Sequence, residues 1–162
     1  MPINYFGVPI DVEKERLPYF EPPAEGWNES VGGFPKNPLA EKYPLIYMTM
    51  HNRYRTHTTT GYNTWLLELQ DGPVLHINEQ DAKARGIAND DVVKCFNDRG
   101  FVVLKARIDN TIRPGMVDMP HGWQEDQFIA GHYQDLTPSF THPWDCNDNY
   151  YDCLCEVEKW EG

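Results

Sequence analysis

Apolar and polar positions alternate only over short distances in this chain, and turn residues interrupt them often. The first clear pattern is "YPLIYMTM", residues 43–50, whose apolar run predicts a strand. "TWLLELQ", 64–70, places Leu66, Leu67 and Leu69 on one side and predicts one or two helical turns. "PVLHIN", 73–78, predicts a strand. "NEQDAKARGI" predicts a short helix over 79–85, with Asn78 as N-cap, Asp81 at the third helical position, Ile77 stapled onto Ala82 and Gly86 as the left-handed stop. "DVVKCFND" and "FVVLKARI" predict two strands joined by the hairpin turn "NDRG". In the second, Val102, Leu104, Ala106 and Ile108 face one way, and Lys105 and Arg107 the other with Phe101 and Val103. A Pro114–Gly115 turn precedes a strand from Met116 to Met119. After "HGW" periodicity is lost for about thirty residues, until "DCLCEVEKW" supplies a closing strand with Leu154, Val157 and Trp160 as apolar members. Five or six short strands around one well-capped helix predict a mainly β chain closed into a compact β-barrel. No internal repeat or low-complexity segment is present.

The N-terminal third changes this picture. Eight of the thirteen prolines fall in the first 44 residues. Proline fixes φ and removes a donor, so this stretch forms neither a continuous helix nor a central strand. Residues 1–42 are expected to be a Pro-rich extended linker arm, whose aromatic anchors in "LPYFEPP" need a surface to cover them, and residues 43–162 the ordered domain. Hydrophobic residues are 40% of the chain and aromatics 13%, enough for a core and against wholesale disorder. No apolar run reaches the roughly 18 residues of a membrane span, and the N-terminus lacks the pattern of a signal peptide. The expected location is the cytoplasm, or outside it with a parent chain that carries the signal. Cys95, in an apolar run, reads as a buried small hydrophobe. Cys146, Cys153 and Cys155 with His142 match no usual zinc spacing, so reduced thiols and no metal are expected.

Charge singles out one window. The formal net charge is −11, which makes nucleic acid a poor partner. Yet from Lys42 to Leu67 there is no Asp or Glu, and "RYRTHTTTGYN", residues 53–63, packs two arginines, a histidine and a run of three threonines together. Such a cluster of donors suits a small anionic ligand at short range, or else a solvent-facing polar loop.

The residues carry a resemblance. "YPLIYMTMHNRYRTHTTTGYNTWLLEL", followed by "VLHINEQDAKARGIANDDVVKCFNDRGFVVLKARIDNTIRPGMVDMPHGW", resembles the C-terminal domain of molybdopterin-dependent oxidoreductases of the dimethyl-sulfoxide-reductase family. The pattern-bearing residues are Ile77, Asn78, Asp81, Ala82, Gly86, Ile87, Asp91, Val93, Asn97, Arg99 and Gly100. The resemblance implies a six-stranded double-psi β-barrel with one or two short helices. It also implies molybdopterin guanine dinucleotide as cofactor and a role as the cofactor-binding domain, fragment or small subunit, of a molybdenum or tungsten oxidoreductase. Its cofactor loop falls on Arg53, His57 and Thr58, with Thr59 and Asn63 beside them. His121 and Trp123 of "MPHGW" are implied to face the pterin at a strand end, although packing the barrel mouth explains Trp123 equally. At "HYQDLT" many members have Asn-x-Leu-Thr, and this chain presents Gln134 instead. In "NDNYYD", Asn149 or Tyr150 reaches the cofactor, or forms a turn before the last strand.

The resemblance also defines what is absent from this sequence. In that family the residue that ligates molybdenum or tungsten, and any iron–sulfur cluster, belong to other domains. The implied partners are therefore the remaining catalytic domains or subunit of the oxidoreductase, with an iron–sulfur cluster, and the chain alone is expected not to turn over substrate. Two other uses of such a barrel compete. A protein-interaction module, as at the N-termini of some ATP-driven unfoldases, has no need of a carboxylate-free donor loop. A self-processing decarboxylase barrel needs a Gly–Ser pair, which the sequence lacks.

Overall fold

The computed structural model describes residues 9–70, 72–140 and 151–162, together with Ile3 and Gly7. Its strands are β1 (Leu45–Met48), β2 (Val74–Ile77), β3 (Val92–Phe96), β4 (Phe101–Ile108), β5 (Met116–Asp118), β6 (Ala130–Gly131) and β7 (Cys153–Lys159). Neighbours run β2-β5-β1-β7-β3-β4, and β2 also pairs with β4, so six strands close into a barrel. The two-residue β6 pairs with Val102 and Val103 at the start of β4. Pairs β1–β5 and β2–β4 are parallel, and the other pairs are antiparallel. Closure satisfies the strand edges that a six-stranded open sheet would leave to solvent. Among the described residues no helix is long and apolar enough to cross a membrane.

Period-two alternation decides what enters the barrel. Leu45 and Tyr47, Leu75 and Ile77, Val102 with Leu104 and Ala106, and Val117 with Met119 all join one buried core. Cys153, Cys155 and Val157 point inward with them, and Cys95 meets them from β3. These three thiols are free and buried, and burial pushes those of Cys153 and Cys155 far above the ordinary range. Cys146 and His142 lie outside the described residues. Val103 belongs to the polar face of β4 by alternation, yet it is buried because the segment leading into β6 lies over it, with the Ile129 N–H on the Val103 carbonyl.

The two helices form where their signals predict. In α2 (Glu79–Ala84), the Asn78 side chain accepts from the Gln80 N–H at 2.9 Å, and Gly86 takes the left-handed conformation at φ +65°. Asp81 does not reach back to complete a capping box. Its carboxylate accepts from the Gly115 N–H at 2.8 Å and ties the helix to the turn before β5. In α1 (Thr64–Leu69), Leu66 and Leu67 are half-buried, but Leu69 and Trp65 point outward, 62% and 79% exposed.

The N-terminal segment divides. Leu17, Tyr19 and Phe20 are exposed. From residue 25 onward the chain is fastened to the barrel. Glu25 is buried, and its carboxylate takes both terminal nitrogens of Arg99 at 2.7 and 2.8 Å and the Leu154 N–H at 2.8 Å. Asn28 donates to the carbonyls of Pro44 and Gly115. Ala40 and Tyr43 pack with Ile46 and Leu154 in a second apolar cluster on the outer face of β1 and β7.

Candidate functional site

The parallel pairing of β1 with β5 builds the site. Met48 is in register with Asp118, and main-chain bonds continue beyond the strands: the Met119 N–H donates to the Met48 carbonyl at 3.0 Å and the His121 N–H to the Met50 carbonyl at 3.1 Å. The two strand ends therefore leave the barrel side by side, and His51 arrives next to His121. Their ring centroids are 4.5 Å apart.

The loop after β1 then folds back over this end. Thr56 leads into a 3-10 turn, His57–Thr60, and the Thr60 hydroxyl accepts from the Thr56 N–H at 3.0 Å. His57 has φ +46°, a left-handed conformation that costs a non-glycine residue some free energy. Gly122 makes room for it. With φ +97°, a Cβ added there would lie 2.6 Å from the His57 carbonyl oxygen. The segment after "HGW" clasps the loop from outside: Gln127 donates to the Gly61 carbonyl at 3.0 Å, and Tyr62 donates to Asp126 at 2.7 Å.

Three histidines result from this folding, of which the sequence pattern singled out His57 and His121 but not His51. His57 and His121 stack with centroids 4.8 Å apart, and His51 stands edge-on to both. His121 is only 9% exposed, and among the described residues neither ring nitrogen has a hydrogen-bond partner. Burial, and then His51 beside it, hold the His121 imidazole below its ordinary pKa against a smaller opposing pull from the Thr49 main chain, so it is neutral at physiological pH. Together with Thr49, Tyr133 and Gln134, His57 and His121 line a cavity of about 300 Å³. Gln134, on the 3-10 turn Tyr133–Leu136, thus reaches the same place as the histidines.

The two arginines of the loop have different environments. Arg53 is exposed, against the Tyr54 ring, and makes no ion pair among the described residues. Arg55 turns inward. It donates to the Gly61 and Gln70 carbonyls at 2.9 and 3.3 Å and lays its guanidinium 3.7 Å from the centre of the Trp123 ring. Trp123 is wholly buried, and its indole N–H has no partner among the described residues. Arg55 thus shapes the loop, a role the sequence did not reveal because Trp123 stands far along the chain. Thr58 and Thr59 are exposed on the loop, and the Asn63 side-chain oxygen caps α1 through the Trp65 and Leu66 N–H groups. Asn149 lies outside the described residues.

This arrangement suits an anion that carries hydrogen-bonding edges. The loop has donors and no carboxylate, and His121 offers a neutral imidazole with free nitrogens at the base of a cavity. A closed barrel with such a mouth is suited to a phosphate-bearing ligand, and the family match gives its class, a β-barrel that holds a dinucleotide cofactor. The profile of the family described as "Molydopterin dinucleotide binding domain" matches residues 45–154. The chain belongs to that family, within the dimethyl-sulfoxide-reductase group, and its cofactor is molybdopterin guanine dinucleotide.

Relatives agree. A protein of Halobacterium salinarum described as a "putative dimethyl sulfoxide reductase" catalytic chain is 38% identical over 120 residues, covering 74% of this chain and 14% of that protein. The "Pyrogallol hydroxytransferase large subunit" of Pelobacter acidigallici is 32% identical over 149 residues, covering 78% of this chain and 17% of that protein. The solved acetylene hydratase of Pelobacter acetylenicus superposes with a TM-score of 0.72 at 18% identity, over 92% of this chain and 22% of that one, which is a likeness of fold. The chain thus spans about a sixth of the length of the first two relatives, which are the large or catalytic chains of bigger enzymes.

Proposed function

We propose that this domain forms one wall of the cofactor site in a larger molybdenum or tungsten oxidoreductase and holds the dinucleotide through Arg53, His57, Thr58, Thr59, Asn63, His121, Trp123, Gln134 and Asn149. The observation that carries the reading is His121, buried with both nitrogens unpartnered among the described residues, in a cavity that it lines together with His57 of the carboxylate-free loop. An unpartnered buried polar group costs free energy, and a ligand that bonds it recovers that cost. Arg53, exposed and without an ion pair among the described residues, supplies a forked donor for a diphosphate. The threonines add short neutral donors. When bound, the cofactor supplies metal-centred chemistry. This chain's residues bind and orient it, and the chain is not catalytic alone.

The same reading divides the chain into an arm, 1–42, and the barrel domain, 43–162, and makes the remaining catalytic domains, with an iron–sulfur cluster, its partners. Leu17 and Phe20 on the arm, and Tyr62, Trp65 and Leu69 around α1, are large apolar side chains left exposed. They are the surfaces on which those domains pack.

Titration with guanosine diphosphate, followed residue by residue, tests the site. Perturbations are expected at Arg53, His57, Thr58, His121 and Gln134. Arg53→Ala is expected to weaken binding about tenfold, the size of one lost charged hydrogen bond of about 1.5 to 3 kcal/mol, without altering the fold. Unchanged affinity in both Arg53→Ala and His57→Ala would refute the site assignment.

A further inference from the structure

We propose that His51, His57 and His121 form a three-imidazole binding site for a late first-row divalent cation, of which zinc is the representative, in the chain before it receives its dinucleotide. One ligand atom from each ring can be chosen so that all three lie within 4.8 Å of one another. A four-coordinate ion with metal–nitrogen bonds of about 2.0 to 2.1 Å needs its ligand atoms about 3.3 Å apart. The rings must therefore close by no more than about 1.5 Å, a distance side-chain torsion covers for His51 and His57, both exposed.

A second observation points to a ligand independently of this spacing. His121 is more than nine-tenths buried, and neither of its ring nitrogens has a hydrogen-bond partner among the described residues. It is fixed by its main-chain bond to Met50, so it can serve as the anchor to which the two exposed rings turn. His57 is held in its left-handed conformation where the loop crosses Gly122, and this brings its ring over His121 instead of into solvent. The fourth position opens to the cavity lined by Thr49 and Gln134, so a water completes the tetrahedron.

Imidazole-only coordination selects ions of intermediate softness and disfavours magnesium and calcium, which require oxygen. The net charge of −11 raises the local concentration of any cation around the molecule. Because His57 and His121 also line the cavity assigned to the cofactor, the ion and the dinucleotide compete for the same imidazole nitrogens. That competition rests on the function proposed above, whereas the ion site does not.

The test is a calorimetric titration of the metal-free, untagged chain with zinc chloride, paired with cobalt(II) absorption as a report of tetrahedral geometry. One ion per chain is expected, with intense visible cobalt bands. His51→Ala and His57→Asn are each expected to weaken zinc at least tenfold. Asparagine is chosen at 57 because it tolerates positive φ, and circular dichroism checks that both variants fold. His132→Ala, outside the cluster, leaves binding unchanged. Equal affinity and stoichiometry in the His51→Ala/His57→Asn double variant would overturn the site. Guanosine diphosphate in excess is expected to lower the apparent zinc affinity in proportion to its own occupancy. If zinc binding depends on the histidines but guanosine diphosphate binds without affecting it, the ion site stands and the placement of the dinucleotide in this cavity falls.

Discussion

Asp118 is the least comfortable side chain in the barrel, and its discomfort sets a measurable pH dependence. It ends β5 pointing away from the core, into a groove of about 330 Å³ whose lining includes Met48, Met50, Ile112 and Met116 together with Thr111 and Arg113. It is 3% exposed. One carboxylate oxygen accepts from the Met50 N–H at 2.9 Å, and the other has no partner among the described residues. Burial among methionines pushes its pKa up from 3.8 to about 7, the Met50 N–H opposing the shift and Asp109 adding slightly to it. Below pH 3.8 both folded and unfolded chains carry the protonated acid, and the residue contributes no pH dependence. Between there and about pH 7 the unfolded chain ionises first, so stability is lost as pH rises. Above about pH 7 the whole penalty is in place. Three units correspond to about 4 kcal/mol.

Asp118→Asn keeps the acceptor for Met50 and abolishes the titration. Its new amide hydrogens carry a desolvation cost of about 1 to 3 kcal/mol, but that cost is the same at every pH. The quantity to follow is therefore the stability of the variant minus that of the original chain, from urea unfolding at a series of pH values. It is expected to rise by about 3 to 4 kcal/mol between about pH 4 and pH 8, with the change centred between pH 4 and 7. Parallel stability curves would refute the reasoning, since they would mean that Asp118 ionises at its ordinary pKa and that water reaches it through the groove.

Two further outcomes follow from the geometry. Glu25→Ala leaves Arg99 and the buried Leu154 N–H without their acceptor and is expected to cost about 2 to 4 kcal/mol, with faster amide exchange through residues 25–40; exchange unchanged there would show that the arm is held by other contacts. Gly122→Ala places a methyl 2.6 Å from the His57 carbonyl at a left-handed φ, and is expected to lower stability by about 1 to 3 kcal/mol and to weaken both zinc and guanosine diphosphate, since it displaces the loop that carries His57; binding at full strength to a stably folded variant would remove the loop from the site.

Much of the barrel was legible because its strands are short and bounded by turn residues. Asn78 and Gly86 bracket α2, Pro114–Gly115 starts β5, and "NDRG" joins β3 to β4, each through local chemistry that a sequence displays directly. Closure was not legible in the same way. It depends on the parallel β2–β4 and β1–β5 pairings, whose partners stand about thirty and seventy residues apart and whose register no local pattern encodes. The histidine cluster shares that origin. His51 lies three residues beyond Met48 and His121 three beyond Asp118, so the β1–β5 register alone makes them neighbours, and reading "HNRYRTH" by itself could not show it. Likewise the two loop arginines are indistinguishable in sequence, and only the position of Trp123 separates the inward Arg55 from the exposed Arg53.

The residues that mark the family and the residues that form its binding mouth are different sets, and the structure explains why both are needed. Asn97 donates to the Leu136 and Leu154 carbonyls, Arg99 to Leu136 and Glu25, and Gly100 leaves space that a Cβ would lose to Asp135. Asp81 holds the turn that starts β5. None of these side chains touches the cavity. Through Leu136 they fix the 3-10 turn that carries Gln134, and through the Gly115 turn they fix the strand that carries His121. A pattern made of such residues specifies where the mouth is, while on the function proposed above the loop at 51–63 specifies what it holds. Substitutions in the first set should therefore reach the ligand only by loosening the barrel, and lower stability and affinity together. Substitutions at Arg53 or His51, exposed and outside the core, should change affinity while the unfolding transition stays in place.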